Sequence, residues 1–350
     1  MPCRPAQSTR TLDFSANRGP RSSPMKILVT GGAGYVGSRV VPHLLSQGHR
    51  VRVLDRLLYG AEAMLPLTAM PGFELQFGDV REQDSMRRAL QGMEGVIHLA
   101  GIVGEAACNV NTEFSWSINH GAVANLLESA SEAGIGRLVF VSTCSNYGVA
   151  EPNSAVDEDA PLNPISDYAR AKVLAEGEVL RVNGIPTVTV LRLGTICGLS
   201  ARMRFDLLVN EMAREAVLGR PIDIFAPEAW RPFLHIDDAA EAMGHVLQAD
   251  PALVTRRVFN VVGENHQKTS LLAIAREVLP GLQASIVQRK PDLRDYRVSG
   301  KRFVSTLGFR PSRAVADAFR EVAKAVKCGY FRDPDWAGHS AVPIDGFPAQ

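Results

Sequence analysis

The chain has 350 residues, 46% of them hydrophobic and 21% charged, with a formal net charge of +1. That balance suits two domains, or one large domain with a cap, and it can fill a sizeable core. It supplies no global field favouring nucleic acid or an anionic membrane, although individual arginines can still bind a phosphate. The five cysteines, Cys3, Cys108, Cys144, Cys197 and Cys328, show neither CxxC spacing nor an even count. This argues against a disulfide framework or a structural metal site and suits a reducing, cytoplasmic setting. No apolar run is long enough to span a bilayer.

Residues 1–24, rich in Arg, Ser and Pro, lack the apolar core of a secretory signal and read as a disordered extension. Met25, directly before the first strand, is an alternative start of translation. In residues 25–41, MKILVTGGAGYVGSRVV, a short apolar run (Ile27, Leu28, Val29) ends at Thr30. Gly31, Gly32 and Gly34 follow, and Gly37 opens a segment whose Val40, Val41, Leu44 and Leu45 recur at helical spacing. A buried strand turning through glycines into a helix is the phosphate-binding corner of a dinucleotide fold. Glycine admits positive φ there and lets the backbone approach a pyrophosphate.

A second strand, 51–55, ends at Asp55, about 20 residues beyond the glycines, where an acid hydrogen-bonds an adenosine ribose diol. Such an acid repels a 2′-phosphate, which favours NAD over NADP, with Arg56 beside it tempering the preference. Phe73, Leu75 and Phe77 alternate in a third strand before Gly78, Asp79 and Val80, and a helix covers 84–90. Residues 95–101 form a buried strand running through His98 into small residues that permit close approach of a ligand. His98 reads as a packing residue rather than an acid or base. A helix over 119–133 precedes a fifth strand, 138–141, and a hydroxyl-rich stretch, STCSNYG, at 142–148.

Beyond a Pro- and acid-rich loop at 151–164, Tyr168 and Lys172 stand four apart on one helix face. A sixth strand at 185–193 leads to a helix over 202–219, then a mixed strand and helix region, a strand at 258–262, and helices over 271–278 and 312–325. The tail beyond Cys328, rich in Pro and Gly, reads as loosely ordered. Alternating β and α units predict a doubly wound parallel sheet. A phenol titrates near pH 10, and a lysine ammonium one turn away favours its ionised form. With a hydroxyl from 142–143 and a nicotinamide nearby, such a pair removes a proton from an alcohol as hydride leaves, or does the reverse.

These features together resemble the extended short-chain dehydrogenase/reductases of the NAD-dependent epimerase/dehydratase family. The likeness spans residues 25–326. It rests on TGGAGYVG at 30–37, Asp55, Gly78 to Val80, His98-Leu99-Ala100, Asn119, STCSNYG, Tyr168 with Lys172, Arg192, and RPFLHIDD at 231–238. The resemblance implies a Rossmann-like α/β fold with a smaller C-terminal α/β substrate domain. The NAD-binding part would take 25–198 with 233–262 returning to it, the substrate part 199–232 and 263–330, and the loose tail 331–350. It also implies roles. Gly31, Gly34, Tyr35, Val36 and Gly37 would surround the NAD pyrophosphate, Asp55 the adenosine ribose, and Asp79 with Val80 the adenine, with Leu99 and Ala100 lining the cofactor. Tyr168 would be the base, Lys172 the anchor of the nicotinamide ribose and Thr143 the hydroxyl partner. Arg231 would meet a substrate diphosphate, assisted by Arg204, Asn210 and Arg294, although Arg204 and Arg294 read equally as salt-bridging to nearby acids.

Two departures narrow the reaction. Sugar 4,6-dehydratases of this family carry Asp-Glu directly after the catalytic threonine, where this chain has Cys144 and Ser145, neither a carboxylic acid. Cys144 reads either as an acid or base or as a small residue packed under the nicotinamide. Thr195 stands where many 4-epimerases place an asparagine against the sugar. The leading expectation is a nucleotide-sugar epimerase with tightly held NAD and a small-molecule substrate, without nucleic-acid or membrane partners. It would form a homodimer through the helices flanking Asn119 and Tyr168. A one-way dehydrogenase or ketoreductase of a nucleotide sugar or secondary metabolite is the second reading, and a non-catalytic NAD-binding member the third.

Overall fold

Ile27, Leu28 and Val29 are all fully buried, Ile27 and Val29 in one apolar cluster and Leu28 in another. A strand that buries both of its faces needs helices above and below, and that requirement sets the architecture. The computed structural model describes residues 23–150, 154–287, 294–343 and 347. Residues 1–22 of the expected extension lie outside the described residues, as do 151–153 of the acidic loop and 344–346 and 348–350 of the tail.

Seven parallel strands form the central sheet: β1 (Lys26–Thr30), β2 (Arg50–Asp55), β3 (Phe73–Phe77), β4 (Gly95–His98), β5 (Arg137–Thr143), β6 (Thr187–Leu193) and β7 (Arg257–Val261). Their order is β7-β6-β5-β4-β1-β2-β3. This is the expected doubly wound, Rossmann-like sheet. Val29 pairs with Val53 on one side and Ile97 on the other, so β1 lies between β2 and β4. The chain winds outward in both directions from β1, which opens a crevice at the carboxyl ends of β1 and β4. The helices Gly37–Ser46 and Ile236–Gln248 cover one face through Val40, Val41, Leu44, Met243 and Leu247. Gln83–Leu90, Ala122–Glu132 and Asp167–Arg181 cover the other through Met86, Val123, Leu126, Ala175 and Val179.

A smaller lobe grows around Phe205, Met212, Leu271, Phe319 and Val322. Its three-stranded sheet has Trp230–His235 at the centre, parallel to Thr195–Cys197 and antiparallel to Glu264–Gln267. The helix expected over 202–219 starts only at Leu208. Ahead of it, Arg204 pairs with Asp206 two residues on, a spacing that a helix would send to different sides. The Phe205 N–H is also taken by the His339 carbonyl at 2.8 Å. The helix expected over 119–133 opens instead with a π-turn, Ser117–Gly121. Within that turn the Asn119 side chain accepts from the Ile102 N–H and donates to the Ile102 carbonyl.

Not every later segment belongs to the smaller lobe. Phe303, in the helix Lys301–Leu307, packs edge-on against Phe259 of β7 at 5.7 Å and so covers the central sheet. Residues 331–343, within the expected loose tail, hold a short 3-10 turn at Ala337–His339. The His339 ring meets Phe205 edge-on at 5.4 Å, and Ala341 is buried. No helix among the described residues is long and apolar enough to cross a membrane.

The turn after β1 depends on Gly31. Its φ is +71°, and a Cβ there would lie 2.7 Å from the Ala100 backbone. Gly31→Ala is predicted to destabilise the protein by about 2 kcal/mol or more, combining strain with a backbone clash. A urea unfolding curve with an unchanged midpoint would show that the corner yields instead.

Candidate active site

At the carboxyl ends of β1 to β6 lies a cleft of about 320 Å³, lined by the turns that follow these strands and by part of the smaller lobe. Gly37 seats the first helix against the glycine turn, since a Cβ would come within 2.5 Å of the Gly31 and Gly32 carbonyl oxygens. Gly34 lines the cleft beside it. Tyr35 reaches the other way. Its hydroxyl donates to the Gly198 carbonyl at 2.7 Å and accepts from the Asn210 amide at 3.0 Å, tying the loop to the smaller lobe. The corner is therefore a backbone cradle at a helix N-terminus, fixed from both sides, and it fits the diphosphate of a dinucleotide.

Asp55 holds this loop to the end of β2. Its carboxylate accepts the Ala33 N–H at 2.9 Å and the Leu57 N–H at 2.8 Å. Burial pushes its pKa up, and these hydrogen bonds and Arg202 only partly offset that. Asp79 is braced by Arg81 at 2.9 Å and Arg56 at 2.6 Å. Burial raises its pKa as well, but the two guanidinium groups win and hold it below the usual range. All the candidate cofactor residues, from Gly31 through Lys172 and with Tyr168 counted among them, line the one cleft.

Thr143, Tyr168 and Lys172 meet on its floor. Ser166 caps the helix Asp167–Arg181 by accepting the Ala169 N–H, which starts the helix one turn ahead of Lys172. In the protein by itself, burial rather than the Lys172 charge governs the pair. It drives the Tyr168 phenol up, Cys108 adds to the rise, and a hydrogen bond from Thr143 pulls it down. Burial likewise brings Lys172 down to about 7, although Glu176 pulls it up. The Lys172 ammonium also sits 4.0 Å from the centre of the Phe140 ring. His98 is fully buried, stacked on Phe140 and hydrogen-bonded through Nδ1 to Thr30 at 2.8 Å. Burial, reinforced by Lys172, lowers its pKa to about 3, so it stays neutral.

Behind the floor lies a buried polar network. Glu176 receives Arg192 Nη2 at 2.7 Å and the Ser142 hydroxyl at 2.5 Å, and Arg192 in turn donates to the Tyr147 hydroxyl at 3.0 Å. Cys144, a candidate acid or base, borders the cleft as a buried side chain. Its thiol is 1% exposed among Tyr147, Val262, Tyr296 and Val298, and it donates to the Arg192 carbonyl at 3.4 Å. Burial, reinforced by Glu176 and Glu158 against Arg192, raises its pKa and keeps it a neutral thiol.

The candidate substrate residues divide. Thr195, Arg204 and Arg294 line the cleft, whereas Asn210 and Arg231 do not. Asn210 is fully buried and spends its amide on Gly198, Tyr35 and the Arg204 carbonyl. Arg231 donates to the Trp230 and Arg294 carbonyls, with its guanidinium 5.7 Å from the centre of the Tyr296 ring. Arg204 keeps its place at the cleft but forms a two-pronged pair with Asp206. Tyr296, which sequence reasoning missed, lines the cleft and places its hydroxyl 3.2 Å from that of Ser145. Tyr59, Arg202 and Ala341 were missed as well. No local motif marks any of them, because each reaches the site through contacts distant in sequence.

The sequence profile of the NAD dependent epimerase/dehydratase family matches residues 27–277. The UDP-glucose 4-epimerase of Streptomyces lividans is 36% identical over 238 residues, 62% of this chain and 70% of its own. The dTDP-glucose 4,6-dehydratase of Streptomyces niveus is 29% identical over 326 residues, 86% of this chain and 92% of its own. The crystal structure of UDP-glucuronic acid 4-epimerase from Bacillus cereus, in complex with UDP-glucuronic acid and NAD, shares the fold. Its TM-score is 0.78 at 23% identity, over 87% of this chain and 99% of that one.

Two predictions follow from the floor of the cleft. Lysine normally titrates at 10.5, whereas native Lys172 does so at about 7. Between these values the unfolded chain holds the extra proton, so stability rises with pH; below about 7 the cost of the buried charge is complete. The melting temperature of the wild-type protein relative to Lys172→Met is therefore predicted to climb from about pH 7 toward 10, and a flat difference would contradict the lowered pKa. Glu176→Gln leaves Arg192 buried without its charge partner and is predicted to cost about 3 kcal/mol in urea unfolding.

Proposed function

Because the chain belongs to the NAD-dependent epimerase/dehydratase family, with NAD as its cofactor, we propose that it is an epimerase acting on a nucleotide sugar. The observation that carries this is a cleft in which Thr143, Tyr168 and Lys172 share one floor beside the glycine cradle, while Cys144 and Ser145 follow Thr143 with no carboxylic acid. Proton transfer at a sugar hydroxyl is thereby provided for. The acid and base that a 4,6-elimination demands are not.

In this reading Tyr168 takes the proton of the sugar hydroxyl and, once the ketone has presented its other face to the cofactor, returns that proton to the ketone oxygen. Thr143 holds the same oxygen by a hydrogen bond. Lys172 holds the nicotinamide ribose, and its positive charge favours the phenolate that Tyr168 must form. When bound, NAD supplies the reversible hydride acceptor. Asp55 takes the adenosine ribose diol, and Asp79 with Val80 borders the adenine. Arg294 and the positively charged Arg204 face the nucleoside diphosphate, and Thr195 the sugar. The small lobe, through Arg204 and Leu207, forms part of the wall around the substrate.

The same three residues also serve a one-way dehydrogenase or ketoreductase, and the two differ in redox balance. UDP-, GDP-, dTDP- and CDP-sugars are to be supplied in turn while reduced nicotinamide is followed by absorbance and sugar isomers by chromatography. Isomer formation without net change in NADH is the expected outcome. Stoichiometric NADH production or consumption would overturn the epimerase. Tyr168→Phe is predicted to cut turnover about a thousandfold while leaving NAD binding intact; unaltered turnover would remove Tyr168 from the mechanism. The reading also includes a cytoplasmic homodimer through the helices Ala122–Glu132 and Asp167–Arg181, the latter presenting Leu174 at 51% exposure. Light scattering at twice the 37.9 kDa chain mass checks the dimer.

A further inference from the structure

Two of the buried arginines face a carboxylate: Arg192 has Glu176, and Arg204 has Asp206. Arg202 does not. It is 7% exposed, yet no carboxylate pairs with it among the described residues. Its Nη2 donates to the Ser340 carbonyl, its guanidinium lies 3.9 Å from the centre of the Tyr59 ring, and its buried Nε has no acceptor. Burial pulls its pKa down to about 10, and Tyr59, Asp206 and Asp55 restore it only in part against Arg204. A buried cation without a counter-ion is unfavourable unless an anion completes the site.

The position of Arg202 identifies the anion. It lines the cleft together with Asp55 and Tyr59. Its backbone N–H donates to Ser38 Oγ, which also lies 2.7 Å from Ser200 Oγ. Ser38 stands in the first turn of the helix that follows the glycine loop, where a dinucleotide diphosphate sits. Around Arg202 the tail closes. The Tyr59 hydroxyl donates to the Ala341 carbonyl at 2.7 Å, the Ala341 N–H to Asp206 at 3.3 Å, and the Phe205 N–H to the His339 carbonyl at 2.8 Å. One segment thus bonds to both lobes along the same cleft, and its Ala341 forms part of the wall.

We propose that Arg202 is the counter-ion of the dinucleotide diphosphate, and that residues 339–341, gripping Arg202 and Tyr59, strap the cofactor into the cleft. This rests on NAD occupying that cleft. Retention of this kind suits an enzyme that reuses one cofactor molecule through successive turnovers.

Calorimetric titration of wild-type protein and Arg202→Met with NAD, NADP and adenosine tests the assignment, together with the melting temperature of each protein stripped of nucleotide. The expected result is at least about tenfold weaker NAD binding, the loss of one charge-assisted contact. Adenosine affinity should be unchanged, and the stripped variant should melt no lower than wild type, because an uncompensated charge has been removed. Unchanged NAD affinity, or a loss confined to NADP, which would move the contact to the 2′-phosphate, would overturn the assignment. Tyr59→Phe removes the bond to Ala341 without changing packing volume and should release NAD about threefold faster; an unaltered release rate would overturn the strap. A wild-type protein that binds no NAD would instead overturn the functional reading beneath both.

Discussion

Glu176 holds three elements in register with one carboxylate. Arg192 comes to it from β6, Ser142 from the end of β5, and Asn146 from the turn beyond β5. Glu176 itself lies one turn beyond Lys172 on the helix that carries Tyr168. With side-chain exposures of 6% and 3%, the Arg192–Glu176 pair is shielded from water, and leaving either partner alone would be costly. Its grip sets where the helix bears on the sheet, and so how far the phenol stands from Thr143. Such a pair contributes more to the choice of one arrangement than to overall stability, since desolvation offsets much of the attraction.

On the cofactor side the logic reverses. Main chain supplies most of the seat there, and the glycine turn approaches Ala100 and the first helix too closely for a Cβ at Gly31 or Gly37. Asp55 then fastens the loop through two N–H groups. The two halves of the cleft are thus built from different materials. One is a backbone cradle suited to a diphosphate, the other a set of buried ionisable groups whose protonation follows burial more than mutual attraction.

How much of this was legible in the sequence depended on how local the information was. The strands of the central sheet and the glycine corner follow from short apolar runs and helical spacing within a few residues of each other, and they stand where those patterns put them. Tyr168 and Lys172 share a face for the same local reason. Side-chain partnerships were less legible. Asn210 and Arg231 carry suitable chemistry, but the Tyr35 hydroxyl and the Arg204, Trp230 and Arg294 carbonyls take up their donors, Tyr35 and Arg294 from far along the chain. Cys144 reads from the sequence either as an acid or base or as a packing residue, and its burial could not be read there. The helix expected from 202 is cut short by the Arg204–Asp206 pair and by a carbonyl supplied by His339. Proline and glycine in the tail suggested looseness, whereas Phe205 and Tyr59 give residues 339–341 something to hold.

Tyr35 ties the glycine loop to Gly198, which directly follows the strand carrying Thr195. The seat of one ligand and the wall facing the other are therefore joined by a single short lever. A ligand that stiffens the loop also stiffens that strand, and by reciprocity a ligand pressing on the strand tightens the loop. Occupancy of the two halves of the cleft becomes linked through this phenol, so that whichever ligand arrives first prepares the place of the second.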